Sequence, residues 1–520
     1  MNHRSSFLFV LLLAAVIALP MVLRPRGQGV GSEADETLVI MTPHNEATRS
    51  EFAAAFAREY RERTGRTVAI DWRTPGGGSE IARYLASEYL GAFRLYWERD
   101  LGRQWTREVE AAFDNPQVAP GEESIAAQAR KAFLESPVSC GVDLLFGGGS
   151  YDFSQQAAAG RLVNCGLLEM VAGVPPSVGG EPYWDREGRW IGAALSAFGI
   201  CYHREALARA GITTPPTAWS DLADPRLFGR IALSDPTQSG SAAKAFEMLV
   251  QQQIAATIAE GGTVADGWAR AMRLIRRISA NARYFTDSAS KVPWDVESGD
   301  AAAGMVIDFY GRYQSEAVRR PDGSSRMEYV TPRDGSSFGS DPIGLLRGAP
   351  HEALAREFIR FVMAPEGQKL WNWKVGTPGG PQRHALRRLP VLPSLYEPQW
   401  AALRSDPEVD PYRESTFVYH PEWTARLFRT IGFVIGAMAI DAHDELCEAW
   451  RALIRNGFPR EATARFDEIT AIDYDAALHR LRPLLSTGSR MDQVRLSREL
   501  GDHFRRQYRE VTQMADRARE

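Results

Sequence analysis

The sequence predicts an α/β protein with two lobes joined by a hinge and followed by an all-α C-terminal extension. Short apolar strands alternate with amphipathic helices from residue 38 onwards, which is typical of α/β layers. A second alternation of the same kind begins near residue 195, and the pattern becomes helical beyond residue 390. At 520 residues the chain is also too long for one compact domain.

Residues 1–36 carry an export segment. Arg4 precedes an apolar run over residues 7–23, and Arg24 and Arg26 follow it. The run is longer than the usual signal core of about 7–15 residues and just reaches the lower limit of a spanning helix. Two fates stay open, a removed signal peptide and an uncleaved N-terminal anchor. In both cases we expect the protein in the periplasm or on the extracellular face. The next apolar stretch, 431–440, is too short to span a membrane and predicts a buried helix.

The first lobe is expected over residues 37–194. A strand at 38–41 leads into a helix that places Phe52, Phe56 and Tyr60 on one face, and Gly65 ends this helix. A strand at 67–72, a glycine turn and a helix that opens at Ser79 follow. A largely helical insertion at about 88–136 interrupts the alternation, which resumes with a strand at 142–146.

The second lobe is expected over residues 195–325. Its strand at 229–234 runs into the loop 235–241 and a helix, and a later strand at 303–309 ends in Tyr310. The segment 326–390 then returns to the first lobe, so that this lobe is discontinuous in sequence. Residues 391–520 form the helical extension, which we expect to pack against the first lobe, with a docking surface for a partner as the alternative.

Charge and cysteine content restrict the function. A net charge of -4 gives no basic excess for a nucleic acid, so none is expected as a partner. The four cysteines form no C-x-x-C pair, which leaves one or two disulfides or small buried thiols as the alternatives. Neither a phosphate-binding loop nor a dinucleotide fingerprint occurs, so the sequence predicts no cofactor.

Three stretches in order resemble a known family. They are "ITTPPTAWSDLADPRLFGRIALSDPTQSGSAAKAFE" at 212–247, "VDLLFGGGSYDFSQQAAAGRLV" at 142–163 and "GAPHEALAREFIRFVMAPEGQKLW" at 348–371. Together they resemble periplasmic solute-binding proteins of ABC importers, of the ferric-ion and sugar-phosphate type, over roughly residues 38–395. The resemblance implies the type II periplasmic-binding-protein fold, a small-molecule solute, an ABC permease as partner, and a monomer without catalytic activity.

The resemblance also implies that ligand-contacting residues lie on loops at the strand ends that face the cleft. Several of these positions are glycines or hydroxylated residues at a helix start, where free backbone N–H groups attract anions. Each residue alone is as readily an ordinary helix cap or turn. The candidates are His44, Asn45, Gly77, Gly78, Ser79, Gly148, Gly149, Ser196, Thr237, Ser239, Gly240, Ser241, Ser288, Ser290, Asp308, Tyr310 and Asp341.

The sequence favours a polar or anionic organic solute over iron. Iron-binding members of the family hold ferric ion with a neighbouring pair of tyrosines, whereas here Tyr310 is followed by Gly311-Arg312-Tyr313, so the pair is interrupted. A ferric-ion site that uses His44, Asp308, Tyr310 and Asp341 stays as an alternative. No metal site is otherwise predicted.

An enzyme is the alternative of another class. Ser241-Ala242-Ala243-Lys244 matches the S-x-x-K motif of penicillin-recognising serine enzymes and opens a helix as that motif does. A secreted serine hydrolase or transferase would use Ser241 and Lys244, although the S-D-N and K-T-G partner motifs are missing. A membrane-tethered sensor subunit is a third hypothesis, which an uncleaved anchor would allow.

Overall fold

The computed structural model describes residues 34–414, 416–487 and 489–518, so most of the export segment lies outside the described residues. In chain order, the strands are β1 (Glu36–Met41), β2 (Val68–Arg73), β3 (Leu144–Phe146), β4 (Leu162–Val163), β5 (Ser177–Val178), β6 (Glu181–Pro182), β7 (Ile191–Ser196), β8 (Phe198–His203), β9 (Ile231–Ser234), β10 (Ala282–Thr286), β11 (Ala303–Ile307), β12 (Met327–Val330), β13 (Gly339–Leu346) and β14 (Leu389–Pro390).

The helices surround these strands and then continue alone. Those that precede residue 373 are α1 (Glu46–Thr64), α2 (Gly78–Leu95), α3 (Arg107–Ala112), α4 (Ile125–Glu135), α5 (Ser150–Ala159), α6 (Arg204–Arg209), α7 (Gly240–Ala259), α8 (Val264–Ala280), α9 (Lys291–Glu297), α10 (Asp308–Ala317), α11 (Glu352–Met363) and α12 (Pro365–Asn372). The later ones are α13 (Pro411–Glu414), α14 (Pro421–Thr424), α15 (Phe428–Ile435), α16 (His443–Arg455), α17 (Arg460–Phe466), α18 (Tyr474–Ala476), α19 (Arg482–Thr487) and α20 (Arg490–Arg517).

Two separate sheets form two lobes. The first sheet has the order β14-β7-β13-β3-β1-β2, with β4 beside β13, and the second has the order β10-β9-β11-β8-β12. In the first sheet β1 runs parallel to β2 and β3, whereas β13 is antiparallel to β3 and β7. The first sheet therefore contains strands that precede the second sheet in the sequence and strands that follow it. The predicted α/β architecture of two lobes with a helical C-terminal region is confirmed.

The first lobe forms as its residue pattern predicts. Asn45 caps α1 by accepting the Thr48 N–H at 3.0 Å, and Gly65 ends the helix in the left-handed conformation, at a φ of 74°. Phe52 and Phe56 are fully buried on the face of α1 that covers the sheet. The helix is thus fixed at both ends and by its apolar face.

The lobes are connected at the hinge by two short stretches. Ala197 alone separates β7 from β8, and residues 331–338 separate β12 from β13. The Phe198 N–H donates to Ser336 Oγ at 2.8 Å, which ties the two connections together. The Asp308 N–H donates to the Ala197 carbonyl at 2.9 Å, so α10 begins against the hinge.

One predicted strand is shorter than expected. The strand predicted at 303–309 ends at Ile307, and Asp308 is the first residue of α10. The apolar pattern did not show this boundary, because Phe309 is apolar and buried, as a residue of a continuing strand would be. Asp308 and Tyr310 therefore lie on the first turn of a helix.

The beginning of the extension packs against the first lobe as predicted, since Val391, Tyr396 and Tyr412 join the core of that lobe. From Phe417 onwards the extension packs against the second lobe, so the prediction is wrong for its larger part. Leu427 and Ile431 belong to the same hydrophobic core as Phe246 and Leu249 of α7. Residues 245–251 of α7 are all buried, because the sheet covers one side of this helix and the extension covers the other. A helix that is buried on all sides needs a second covering layer.

The apolar stretch predicted as a buried helix is part of a longer helical run, Pro421–Ile440. This run is long and apolar enough to cross a membrane, yet 67% of its apolar window is buried in the protein. It is therefore a core element, as its burial against α7 shows.

The four cysteines are free thiols, and three of them are buried. The structure therefore agrees with the prediction of buried thiols and not with the alternative of disulfides.

Candidate functional site

Helix starts from both lobes meet at the seam between the lobes. A Cβ at Gly77, which precedes α2 in the first lobe, would lie only 3.4 Å from the Gln238 carbonyl oxygen in the second. Gly77 and Gly149 are the N-cap residues of α2 and α5, and neither has a side chain that caps its helix. The first N–H groups of these two helices are therefore available to a ligand.

The Asp152 carboxylate lies at this seam. A Cβ at Gly78 would lie 2.7 Å from Asp152 Oδ2, and a Cβ at Gly240 would lie 3.9 Å from the same oxygen. The carboxylate thus lies beside the first residue of α2 and close to the first residue of α7, which belong to different lobes. Burial raises the pKa of Asp152 to about 6, although a hydrogen bond from the Gly149 backbone opposes this rise.

A second polar cluster lies next to the hinge and is centred on Asp341. The Gly148 N–H donates to Asp341 Oδ1 at 2.5 Å, and His44 Nε2 lies 3.3 Å from Asp341 Oδ2. Burial, with Arg388 and Arg49 nearby, holds the pKa of His44 well below its usual range, so this imidazole is neutral. His44 Nδ1 is buried and has no hydrogen-bond partner.

Arg388 belongs to this cluster, and the sequence pattern gave no sign of it. It immediately precedes β14 and forms an ion pair with Asp341. Its guanidinium carbon lies 4.0 Å from the centre of the Phe309 ring, which belongs to the second lobe. Burial lowers the pKa of Arg388 to about 10, and the group stays charged at neutral pH. An arginine beside a two-residue strand matches no motif, so only the fold reveals its position.

Ser196 and Tyr310 complete the cluster. Ser196 ends β7 beside Gly339 of β13, and its hydroxyl is buried without a hydrogen-bond partner. The register that pairs β14 with β7 places Arg388 on the neighbouring strand at the same level. The Tyr310 side chain interacts with Asn45 across the two lobes, and burial raises the pKa of this tyrosine.

Asp308 serves the scaffold more than the cleft. It is fully buried, and Arg312 Nη2 donates to its Oδ2 at 2.7 Å. Burial raises the pKa of Asp308, while the neighbouring Arg312 opposes this rise. Arg312 also lies 3.6 Å from Asp406, so Asp308 is one member of a buried ionic network.

The remaining predicted residues lie in helix starts or form hydrogen bonds within their own loops. Thr237 donates its N–H and its hydroxyl to Asp235, Ser239 caps α7, and Ser288 Oγ lies 2.9 Å from Ser290 Oγ. Ser79, Gly240 and Ser241 lie in the first turns of α2 and α7. The predicted set therefore divides into a helix-start group, a hinge group around Asp341, and residues held by their own loops.

Lys244 is held in a buried ionic network that joins the lobes. Its Nζ lies 2.8 Å from a carboxylate oxygen of Glu181 in β6 and 2.9 Å from one of Glu247 in α7. The same Nζ lies 4.0 Å from the centre of the Tyr419 ring, in a cation–π contact. Burial alone would lower the pKa of Lys244, but the two carboxylates outweigh it and raise the pKa. The lysine is therefore a permanent cation.

These features define the class of protein: two α/β lobes meet at a hinge and enclose a polar seam, which is the architecture of a binding protein that closes on a small molecule. A model of the family described as "Bacterial extracellular solute-binding protein" matches residues 142–406, just over half of the chain. The chain belongs to this family, and the predicted family membership is confirmed. The family is periplasmic or extracellular.

The solved structure of the periplasmic binding protein AfuA from Actinobacillus pleuropneumoniae, with exogenous fructose-6-phosphate bound, is similar in fold. It is 16% identical, the match covers 81% of this chain and 99% of that one, and the TM-score is 0.50. Among curated proteins, an uncharacterized protein of Haemophilus influenzae is 27% identical over 35% of this chain and 47% of its own length. The phosphoglycerate transport regulatory protein PgtC of Salmonella typhimurium is 26% identical over 35% of this chain. The match spans 40% of PgtC, so it relates only part of the two proteins.

Proposed function

We propose that this chain is the extracytoplasmic solute-binding component of an ABC importer. It captures a small polar or anionic organic solute by hinge closure and delivers it to a membrane permease, as a monomer without a cofactor. The moving bodies are the first lobe, expected over residues 37–194 with 326–390, and the second lobe, expected over 195–325, and they bend about Ala197 and the 331–338 connection. Because β7 ends at Ser196 and β12 pairs with β8, residues 195–196 move with the first lobe and residues 327–330 move with the second. Residues 1–36 direct export and are either removed or retained as a tether.

The observation that carries this proposal is the pair of unsatisfied buried groups at the hinge. His44 Nδ1 and Ser196 Oγ are buried and lack hydrogen-bond partners; His44 lies in the loop that follows β1, and Ser196 is the last residue of β7 in the same sheet. A buried polar atom without a partner costs about 1–3 kcal/mol, which a bound solute would recover. Solute binding is therefore the simplest role for these groups.

The helix starts favour an anionic solute. Gly77 and Gly149 leave the first N–H groups of α2 and α5 without side-chain caps, and such groups attract negative charge. Phosphoglycerate and fructose-6-phosphate, which appear in the names of two similar proteins, are both anions, and this supports the assignment.

The ferric-ion alternative is disfavoured by the partners of its proposed ligands. Arg388 is paired with Asp341, and Arg312 is paired with Asp308, so an arginine occupies each carboxylate that would bind the metal. Within residues 34–414, 416–487 and 489–518, no three His, Cys, Asp or Glu side chains converge in a geometry that could hold a metal ion. A ferric ion would have to displace both cations.

The hydrolase alternative is disfavoured by Lys244. A general base must be neutral to accept the serine proton, whereas Glu181 and Glu247 keep this lysine protonated. We expect a β-lactam probe to leave Ser241 unlabelled under conditions in which a solute stabilises the protein. Covalent labelling of Ser241 would restore the enzyme hypothesis.

Thermal-shift measurement with tryptophan fluorescence tests the proposal. The purified chain is screened against sugar phosphates, phosphoglycerate, carboxylates, putrescine and ferric salts, and a solute should raise the melting temperature and change the fluorescence as the lobes close. Ser196→Ala should weaken binding of that solute without loss of stability. Ser315→Ala is the matched control, because Ser315 is buried in the second lobe and donates to Gly311. Equal effects of the two variants on binding would contradict the proposed cleft.

A further inference from the structure

Arg388 makes fewer hydrogen bonds than the other buried arginines. Arg130 donates to three backbone carbonyls, and Arg404 donates to two. Arg312 donates to Asp308 and to the Arg387 carbonyl. The Arg388 guanidinium, equally buried, has only its ion pair with Asp341 through Nη1. Its remaining donors have no acceptor among the described residues.

The unused donors lie on one edge of the guanidinium. Nη1 is completely buried, whereas Nε and Nη2 are not, so this edge retains contact with solvent. Nε and Nη2 together form the planar fork that binds two oxygens of a carboxylate or phosphate. Phe309 and Trp371 stack on the guanidinium, at 4.0 and 5.6 Å from the ring centres, and hold its plane in place.

Asp341 does not compete for this edge. Its two oxygens are already engaged by the Gly148 N–H, by His44 and by Arg388 Nη1. Because Asp341 is held on three sides, it neutralises Arg388 only from one end and fixes its orientation. Ser196, whose buried hydroxyl also lacks a partner, is the residue that the pairing of β14 with β7 aligns with Arg388.

We infer that Arg388 is the residue that selects an oxyanion, with its Nε and Nη2 donating to two oxygens of a carboxylate or phosphate on the solute and Ser196 Oγ donating to the same group. The inference rests on the proposed solute-binding function and deepens it: the solute carries a carboxylate or phosphate that reaches the hinge. Phe309 comes from the second lobe, so an oxyanion on Arg388 is bound where the lobes close.

Isothermal titration of the purified chain with inorganic phosphate, sugar phosphates, phosphoglycerate, citrate, putrescine and ferric salts tests the inference. The tightest solute should carry a carboxylate or phosphate, and Arg388→Gln should weaken its binding by at least about 30-fold. Arg388→Lys keeps the charge without the fork and should recover only part of this loss. The phosphate and carboxylate arms distinguish the two sources of the oxyanion.

Arg404→Gln is the matched control. Arg404 is equally buried but donates only to backbone carbonyls, so its loss should lower the melting temperature and leave solute affinity unchanged. Tight binding of putrescine or ferric ion that Arg388→Gln and Arg388→Lys leave unchanged would overturn the inference while the proposed function stands. Absence of binding to every probe would contradict both.

Discussion

Replacement of Asp152 by asparagine should stabilise the protein at neutral pH. The folded protein raises the pKa of Asp152 from 3.8 to about 6, because the two lobes bury its carboxylate between Gly78 and Gly240. A change of this size corresponds to at most about 3 kcal/mol of folding free energy at pH values well above 6. Asparagine has the same shape and can still accept the Gly149 N–H, but it carries no charge.

The sign follows from the direction of the pKa change. A carboxyl group whose pKa is higher in the folded state contributes stability that is complete below pH 3.8 and is lost as the pH rises through about 6. The advantage of Asp152→Asn should therefore be near zero at pH 4 and reach its maximum above pH 7. His44 acts in the opposite direction, since its pKa is lowered and the stability it contributes is lost as the pH falls below 6.5. The comparison must accordingly be made between variant and wild type at each pH.

Urea denaturation followed by circular dichroism between pH 4 and pH 8 measures this difference. Asp266→Asn is the matched control, because Asp266 occupies the same position in the first turn of α8 but is exposed. Hydrogen bonds from Thr263 lower the pKa of Asp266, so its amide variant should be destabilised at neutral pH. If the stability difference between Asp152→Asn and the wild type were the same at every pH, or if the variant were less stable at pH 7.5, the pKa of Asp152 would not be raised by burial.

Three further results are expected. Lys244→Met should cost about 3–5 kcal/mol in chemical denaturation, because Glu181 and Glu247 would remain buried without their cation; a neutral effect would refute the network. Gly432→Val should destabilise the protein by about 1–3 kcal/mol, since a Cβ there would lie 3.0 Å from the Pro236 carbonyl oxygen, and an unchanged urea midpoint would show that α15 is not pressed against this loop. Reducing agent should leave the melting temperature unchanged, because all four cysteines are free thiols, whereas a drop would reveal a disulfide.

The lobes could be predicted from the sequence because their strands and helices have strong periodic patterns. Phe52 and Phe56 recur at helical spacing and are buried as expected, and Gly65 ends α1 where only a left-handed residue fits. The end of β11 could not be located in the same way. Phe309 lies beyond the end of the strand but is apolar and buried, so the apolar pattern of the strand continues into the helix.

The site was only partly predictable, because residue types at strand ends show where a cleft lies but not which side chains remain free within it. Asp308 was expected to face the solute, yet Arg312, one helical turn later, pairs with it. Arg388 was not considered, since no local pattern marks it, and its role depends on contacts with Asp341 and Phe309 from distant parts of the chain. Whether such a side chain remains free to bind a solute depends on its oppositely charged partners in the folded protein.

The extension lies across the seam between the lobes and contacts both of them. From Phe417 onwards its core is continuous with that of the second lobe, whereas residues 391–412 pack in the core of the first lobe. Tyr151 of α5 lies 4.6 Å from Phe428 of α15, and the Tyr419 N–H donates to the Gly179 carbonyl at 2.6 Å. Because Gly432 brings α15 directly against the loop that precedes α7, these contacts lie beside the helix starts of the seam. If the lobes open as proposed, Tyr151 must separate from Phe428, so the extension adds an apolar contact across the seam that the two lobes alone would lack.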